Sequence, residues 1–485
     1  MNKVESSRPE WLKAFDCYRE RVALRDASEQ VASYADLLSF SQRLTEELEP
    51  KRLVVCLVEN SVESLLGYLA LLSIGQPILV LPSKVSQEYL NQIEQSYRPG
   101  YYFIHGEALA GHGLDNLKCV IECGQFAIMG TTNSSYPVHD ALALLLPTSG
   151  STGNPKFVRL SHSNVIENAL SIVEYLGIAD SDVAITTLPS SYSYGLSIIH
   201  SHVLRGSRIA VTNLSILDRE FWRFARKANV SSFGIVPFQY DLLKRLLLQN
   251  LELPTLRYVT QAGGALLPKS VLELNSTLRT MGAHLIPMYG QTEASPRISF
   301  LAPENVERKP NSIGKAIPGG EMWLEDEEGA LVAEAGIQGE LVYKGPNVAL
   351  GYANSYADLA QGDHWNGVLR TGDIARFDED GDFYIVGRKS RFTKLFGHRV
   401  NLDDVERHVC ASITDVVCQG HGDTLAVFVE QQNQGFANEV RDSIASYLSV
   451  TKHAVHVYSV EQFLRGDRGK ILYSELFSSN PSRQL

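Results

Sequence analysis

LALLLPTSGSTGNPKFVRLSHSNVIENAL, residues 142–170, passes from a run of leucines through a cluster of Ser, Thr and Gly into a segment whose apolar positions fall three and four apart. That order reads as a buried strand, a loop and then a helix. Gly150 and Gly153 let the backbone turn its N–H groups toward an anion, Ser149, Ser151 and Thr152 add hydroxyl donors, and Lys156 adds a mobile charge. A phosphate cradle is expected. Its spacing is not G-x-x-x-x-G-K-[ST], because Pro155 precedes the lysine and Phe157 follows it.

Working outward, β-rich apolar runs alternate with helix-period segments. Residues 52–57, 77–81, 183–188, 208–211 and 233–236 read as strands, and residues 62–74, 219–227 and 240–248 as helices, the first ending at Gly75. Parallel sheets covered by helices, an α/β architecture, follow. Past Pro310 the texture changes: residues 321–324 and 339–343 are short strand-like segments punctuated by Gly, Pro and Asp, as in an antiparallel barrel or sandwich. GRKSRFTKLFGHRV, residues 387–400, is glycine-bounded and basic, and a domain boundary is expected near Gly387. Beyond it, helices at 403–412 and 436–448 and strands at 424–430 and 455–458 suit a small α+β domain. The expected organisation is a large domain over residues 1–386 with a barrel-like part at 310–386, a hinge at 387–391, and a small domain over 392–485.

Composition narrows the function. The 485 residues exceed one usual domain, and 44% apolar with 20% charged residues is a globular balance. The formal net charge of -11 has the wrong sign for a protein that neutralises a nucleic-acid backbone, but a pocket of N–H groups and one lysine can still hold a small phosphate ligand. The longest apolar runs, such as residues 141–146, fall far short of a membrane span. The N-terminus MNKVESSRPEWLKAFD carries no apolar stretch of the signal-peptide kind, so a cytoplasmic protein is expected. Cys17, Cys56, Cys119, Cys123, Cys410 and Cys418 lack zinc-site spacing and read as buried free thiols.

PTSGSTGNPK resembles the phosphate-loop motif of the adenylate-forming enzymes, the AMP-binding family that includes acyl-CoA synthetases, luciferases and peptide-synthetase adenylation domains. Further motifs occur in the family's order. The resemblance implies that Thr148, Ser149, Gly150, Ser151, Thr152, Gly153 and Lys156 cradle the phosphates of ATP. MYGQTEAS, residues 288–295, is similar to the family's YGxTE, which puts Tyr289 and Gly290 beside adenine, Thr292 on the α-phosphate and Glu293 on Mg²⁺. QAGGALLP, residues 261–268, resembles the segment whose backbone at Gly263, Gly264 and Ala265 lines the adenine and acyl pocket. LRTGD carries Asp373 to the ribose hydroxyls, with Arg388 nearby. The segment 387–400 corresponds to the family hinge, with Ser390 where an Asp or Lys pivot is usual and with Lys394 and Gly397 where the thiol half-reaction is set up. GDRGKILYSEL places Lys470 on the catalytic lysine, with Asp467 and Arg468 in place of the usual upstream proline.

The implied chemistry is an ATP-dependent acid–thiol ligation. A carboxylate attacks the α-phosphorus of ATP, pyrophosphate leaves, and the acyl-AMP passes its acyl group to the thiol of coenzyme A or of a separate phosphopantetheinyl carrier protein. Lys156, Lys470, the hydroxyl loop and Mg²⁺ answer the charge that develops. LPSSYSYGLSII, residues 188–199, resembles the acid-pocket segment, with Tyr192, Ser193 and Tyr194 as lining. Enzymes that select α-amino acids usually carry an aspartate after the aromatic, and here Ser193 follows Tyr192, so a small or aromatic carboxylic acid is favoured over an α-amino acid. Three alternatives stand beside the ligase: a stand-alone amino-acid adenylating enzyme, a catalytically silent adenylate-binding relative, and a kinase-like phosphotransferase.

Overall fold

The computed structural model describes residues 10–111, 117–147, 155–245, 252–396, 398–410, 416–430, 434–448, 450–460, 462–464 and 483–484. The chain divides into two compact units, Met1–Met322 with Tyr343–Leu369 and Trp323–Val342 with Arg370–Leu485.

The first unit is built on two large sheets. One runs, in spatial order, Gly351–Ala353, Phe157–Ser161, Leu142–Pro147, Ile78–Pro82, Val54–Val58, Tyr101–His105, Phe126–Gly130 and Lys118–Cys123. The other runs Lys315–Ala316, Arg297–Phe300, His284–Gly290, Tyr258–Gln261, Ser232–Ile235, Val183–Ile185, Arg208–Val211, Val22–Asp26 and Val31–Ser33. Every residue of Val54–Val58 is buried, which is why the sequence there is an unbroken apolar run rather than an alternating one. The helix Val62–Ser73 buries nearly its whole circumference and ends where Gly75 takes a φ of +81°, a left-handed turn that costs a glycine little. Within that helix Gly67 lets the backbone approach the strand Tyr101–His105, since a Cβ at this position would lie 2.1 Å from Phe103 Cζ.

Only the centre of each sheet is parallel. Val54–Val58 pairs in parallel with both neighbours, as does Tyr258–Gln261, whereas the flanking pairs Leu142–Pro147 with Phe157–Ser161 and His284–Gly290 with Arg297–Phe300 are antiparallel. The strand–loop–helix order expected for residues 142–170 is corrected accordingly. Leu142–Pro147 returns as a second strand, Phe157–Ser161, with Pro147 opposite Phe157, and only then does the helix His162–Leu176 begin. That helix begins on a capping box: Ser161 Oγ accepts from Asn164 N at 3.0 Å, and the Asn164 side chain accepts from Ser161 N at 2.8 Å. The loop at 148–154 lies outside the described residues. The strand at 183–188 stops at Ile185, with Thr186 N still donating to the Ala210 carbonyl at 3.0 Å. The helix at 240–248 starts earlier, as Pro237–Arg245, with proline in its first turn.

The region expected as barrel-like takes the form of a four-stranded sheet ordered Glu321–Glu325, Gly339–Lys344, Val368–Phe377 and Phe383–Arg388. A further sheet, Val416–His421, Thr424–Val429, Val455–Ser459 and Arg483–Gln484, packs with the helices Leu402–Cys410 and Gln434–Leu448 around Val405, Val427, Ile444 and Val457. No described helix is long and apolar enough to cross a membrane. Among the cysteines, Cys56, Cys123 and Cys418 are buried thiols as expected, but Cys17 and Cys119 are exposed, and Cys410 carries no described side chain.

Candidate active site

Four neighbouring parallel strands end in turns on one side of the larger sheet. In spatial order these are His284–Gly290, Tyr258–Gln261, Ser232–Ile235 and Val183–Ile185. Each turn leaves the carboxyl end of its strand, where parallel sheets leave room for ligands. Three of these turns carry the site residues singled out in the sequence.

The turn after Tyr258–Gln261 contains Gly263, Gly264 and Ala265. Gln261 Nε2 donates to the Gly264 carbonyl at 2.8 Å and closes the turn. Gly263 has a φ of +81°, and a Cβ there would come within 2.7 Å of Tyr192 Oη, so glycine is what lets the Tyr192 and Gly263 turns touch. Ala265 is exposed. Gln239, which the sequence did not single out, ties two other turns together: its amide donates to the Thr187 carbonyl at 2.6 Å and its oxygen accepts from Val236 N at 3.1 Å.

The strand His284–Gly290 delivers Tyr289 and Gly290 to the same edge. A Cβ at Gly290 would lie 1.8 Å from the Pro296 carbonyl oxygen, so the hairpin back into Arg297–Phe300 admits no side chain there. Tyr289 is half-buried and accepts from Gln291 Nε2 at 3.1 Å. Thr292 and Glu293 then fall in a single 3₁₀ turn, Thr292–Ala294, both half-buried. The Thr292 and Ser193 hydroxyls lie 3.1 Å apart, which brings the pocket segment onto the YGxTE turn.

Glu293 Oε1 accepts a 2.9 Å hydrogen bond from Tyr352 Oη. Tyr352 sits on Gly351–Ala353, which pairs antiparallel with Phe157–Ser161, and Lys156 Nζ stands 3.6 Å from the centre of its ring. One tyrosine thus joins the lysine at the end of the phosphate-loop segment to the carboxylate of the YGxTE turn. Burial, reinforced by the neighbouring Glu293 carboxylate, pushes the Tyr352 hydroxyl well above the usual phenol range, so it stays a donor. Tyr352 escapes sequence reading because GY in an edge strand looks like any core aromatic. Its role exists only in the antiparallel pairing of segments almost two hundred residues apart.

Of the pocket residues, Tyr192 is half-buried, and Ser193 and Tyr194 are buried at the start of the helix Ser193–Leu204. Tyr194 Oη donates to Thr260 Oγ1 at 2.9 Å. Arg297, a second residue the sequence did not flag, lies under this segment with its guanidinium carbon 4.5 Å from the Tyr194 ring centre.

In the second unit, Asp373 is buried and its Oδ1 accepts from Arg388 Nε at 2.8 Å, the two standing opposite each other across the Val368–Phe377 and Phe383–Arg388 pair. The two candidate ribose residues are therefore partners. Ser390 is exposed in the 3₁₀ turn Lys389–Arg391, flanked by Lys389, whose ammonium is 2.6 Å from Glu340 Oε2, and by Arg391, which pairs with Asp403 at 2.8 Å and with Glu406. Burial raises the Glu406 carboxyl against the opposing pull of Arg391. Lys394 occupies the strand Phe392–Leu395, opposite Arg399. Gly397, Lys470 and the loop Thr148, Ser149, Gly150, Ser151, Thr152 and Gly153 lie outside the described residues.

A family model described as AMP-binding enzyme matches residues 13–353. The chain is 25% identical over 507 residues, covering 99% of both chains, to a 2-succinylbenzoate–CoA ligase of Geobacillus sp. (strain WCH70). It is 26% identical over 474 residues, 92% of this chain but 10% of the other, to gramicidin S synthase 2 of Brevibacillus brevis. Among solved structures, O-succinylbenzoate coenzyme A synthetase (MenE) from Bacillus subtilis, in complex with ATP and a magnesium ion, superposes with a TM-score of 0.77 at 22% identity over 97% of this chain and 99% of that one.

Proposed function

The chain belongs to the AMP-binding enzyme family, and from that premise we propose that it is an AMP-forming acid–thiol ligase, using ATP and Mg²⁺ to activate a carboxylic acid. The observation that carries this reading is the meeting of Thr292, Ser193 and Glu293 at the carboxyl ends of the parallel strands, with Tyr352 linking Glu293 to Lys156.

Glu293 is a half-buried carboxylate with one oxygen held by Tyr352, and its Oε2 accepts no hydrogen bond among the described residues. That donor set fits Mg²⁺, a hard cation that takes one or two carboxylates and keeps phosphate oxygens as its other ligands. Bound there, the ion would supply charge neutralisation between triphosphate oxygens.

The remaining work falls to the chain's own groups. Lys156, Thr292 and the hydroxyl loop donate to phosphate oxygens, so that one anion, the substrate carboxylate, can reach another, the α-phosphorus. Gly263, Gly264, Ala265 and Tyr289 with Gly290 form the adenine and acyl wall, and Asp373 with Arg388 takes the ribose hydroxyls. Lys470 donates to the carboxylate and α-phosphate oxygens as the new C–O–P linkage forms and pyrophosphate leaves. In the second step the thiol sulfur bonds to the acyl carbon, the acyl–phosphate bond breaks, and AMP leaves with the electron pair. Lys470 must then withdraw, with the small domain from residue 392 onward turning about Ser390, and Lys394 and Gly397 arrive with the thiol. Coenzyme A is the favoured thiol, because the relative matched over 99% of both chains is named for it, whereas the peptide synthetase is matched over 10% of its length. The enzyme is placed in the cytoplasm, where these substrates are found.

ATP–pyrophosphate exchange with small, aromatic, fatty and amino acids tests the reading, alongside Lys470→Ala. Exchange supported by one acid class and lowered by orders of magnitude in the variant is expected. ATP binding without exchange for any acid would sink the ligase and leave a silent adenylate-binding protein.

A further inference from the structure

Arg297 is 2% exposed, and among the described residues it forms no ion pair with any carboxylate. Its Nε donates to Ser197 Oγ at 3.0 Å, and its Nη1 reaches Tyr175 Oη at 3.3 Å and Met288 Sδ. Its Nη2, with two hydrogens, has no partner among the described residues. The surrounding hydroxyls supply no counter-charge, since burial pushes both Tyr175 and Tyr194 upward and keeps them neutral. A guanidinium held away from water with open donors and no anion is unfavourable unless something else completes it.

The rest of the molecule shows how a purely structural arginine is treated. Arg159 is also fully buried, yet its three nitrogens are used against the carbonyls of Leu350, Tyr352, Gln361 and Gly362. Arg297 is not needed to fix its own strand either. Its carbonyl already accepts from Asn168 Nδ2 at 3.2 Å and Asn347 Nδ2 at 2.8 Å, and its backbone is registered against Gly290.

Its place gives the open donors a use. Ser197 lies one helical turn beyond Ser193, whose hydroxyl meets Thr292, and the guanidinium stacks on Tyr194 between those two serines. The cation therefore sits against the acid-pocket segment. We propose that Arg297 anchors a second anionic group at the far end of the substrate, so that the acid activated is a dicarboxylic one whose distal carboxylate is bound by the planar fork of Arg297. This rests on the ligase reading above and adds its substrate class. A buried cation at this position also repels the ammonium of an amino acid, in keeping with Ser193 where an amine-binding aspartate would stand.

The test uses the full chain and acids of matched shape. Pyrophosphate release is measured with linear dicarboxylic acids of three to eight carbons and with aromatic dicarboxylic acids, each against its own monoamide, for the wild type, Arg297→Gln and Arg297→Lys. The wild type is expected to favour the diacid over its monoamide by about 100-fold or more in kcat/KM, because a site built for a charge rejects its neutral isostere. Arg297→Gln should collapse that ratio to within about tenfold, mainly by raising KM for the diacid, and Arg297→Lys should fall between. A wild type that adenylates neutral-tailed acids as well as diacids overturns this proposal while leaving the ligase reading standing, and so does an unchanged ratio in Arg297→Gln. A wild type that releases pyrophosphate with no acid overturns both. The wild-type comparison decides even where the variants fail to fold.

Discussion

Replacing Tyr352 by Phe removes one oxygen and leaves the ring in place. The lost hydrogen bond is 2.9 Å long and ends on the half-buried carboxylate of Glu293. Hydrogen bonds to charged groups contribute about 1.5–3 kcal/mol, and the partial exposure of Glu293 puts this one near the lower bound, about 1.5 kcal/mol. At 1.36 kcal/mol per factor of ten, kcat/KM for ATP should fall about tenfold. The ring of Phe still lies under Lys156 Nζ, now 3.6 Å from its centre, whereas Tyr352→Leu removes that contact as well and should cost roughly a further 1 kcal/mol, about fivefold. The assay is pyrophosphate release at saturating acid with ATP varied at several Mg²⁺ concentrations, and the loss in the Phe variant should deepen as Mg²⁺ is lowered. A Phe variant within twofold of wild type, or a Leu variant equal to the Phe variant, would show that Tyr352 does not couple the lysine to the carboxylate.

Gly290→Ala should lower the melting temperature by several degrees and abolish pyrophosphate release, because its Cβ would have to occupy space 1.8 Å from the Pro296 carbonyl oxygen; a differential scan of the purified variant checks it. Burial drops His200 to about 3 and His162 and His202 to about 4, so each binds a proton in the unfolded chain before the folded one; stability is full above pH 6.5 and is lost as pH falls, by about 1 kcal/mol per histidine at pH 5.5, measurable by urea unfolding at pH 7 and 5.5. The opposite sign holds for the buried tyrosines, such as Tyr34 and Tyr102, whose raised folded values mean that their stabilisation is lost as pH rises above about 10. Cys17 and Cys119 should react with a thiol reagent in the native protein, and Cys56, Cys123 and Cys418 only after unfolding, as peptide mapping of the labelled sites would report.

The fold was legible wherever local chemistry dictates structure. Arg219–Lys227 begins and ends where its apolar periodicity does, and the buried strands Val54–Val58 and Ile78–Pro82 follow their unbroken apolar runs within a residue or two. The hairpin at residues 142–161 was not, because VRLS reads equally well as the start of a helix or as a strand, and only pairing with Leu142–Pro147 and Gly351–Ala353 settles it. The site followed the same rule. Residues within a contiguous motif, such as Tyr289, Thr292 and Glu293, were singled out through the resemblance of MYGQTEAS to the family's YGxTE, and the fold carries them to one strand end. Tyr352, Gln239 and Arg297 were missed because each meets partners remote in sequence, and no local pattern records that Nη2 of an arginine at the end of a hairpin has no partner among the described residues.

The row of turns at the carboxyl ends of the four neighbouring strands also closes on itself. Strands in a sheet repeat at about 4.8 Å, so the ends of His284–Gly290 and Val183–Ile185 stand about 14 Å apart. The turns that leave them nevertheless meet, with the Thr292 and Ser193 hydroxyls 3.1 Å apart and Tyr192 against the turn at Gly263. The two outer turns lean toward each other across the two strands between them, so a displacement of one is passed to the other. A substitution in the acid-pocket segment should therefore change the KM for ATP together with that for the acid, while the buried strands beneath stay as they are.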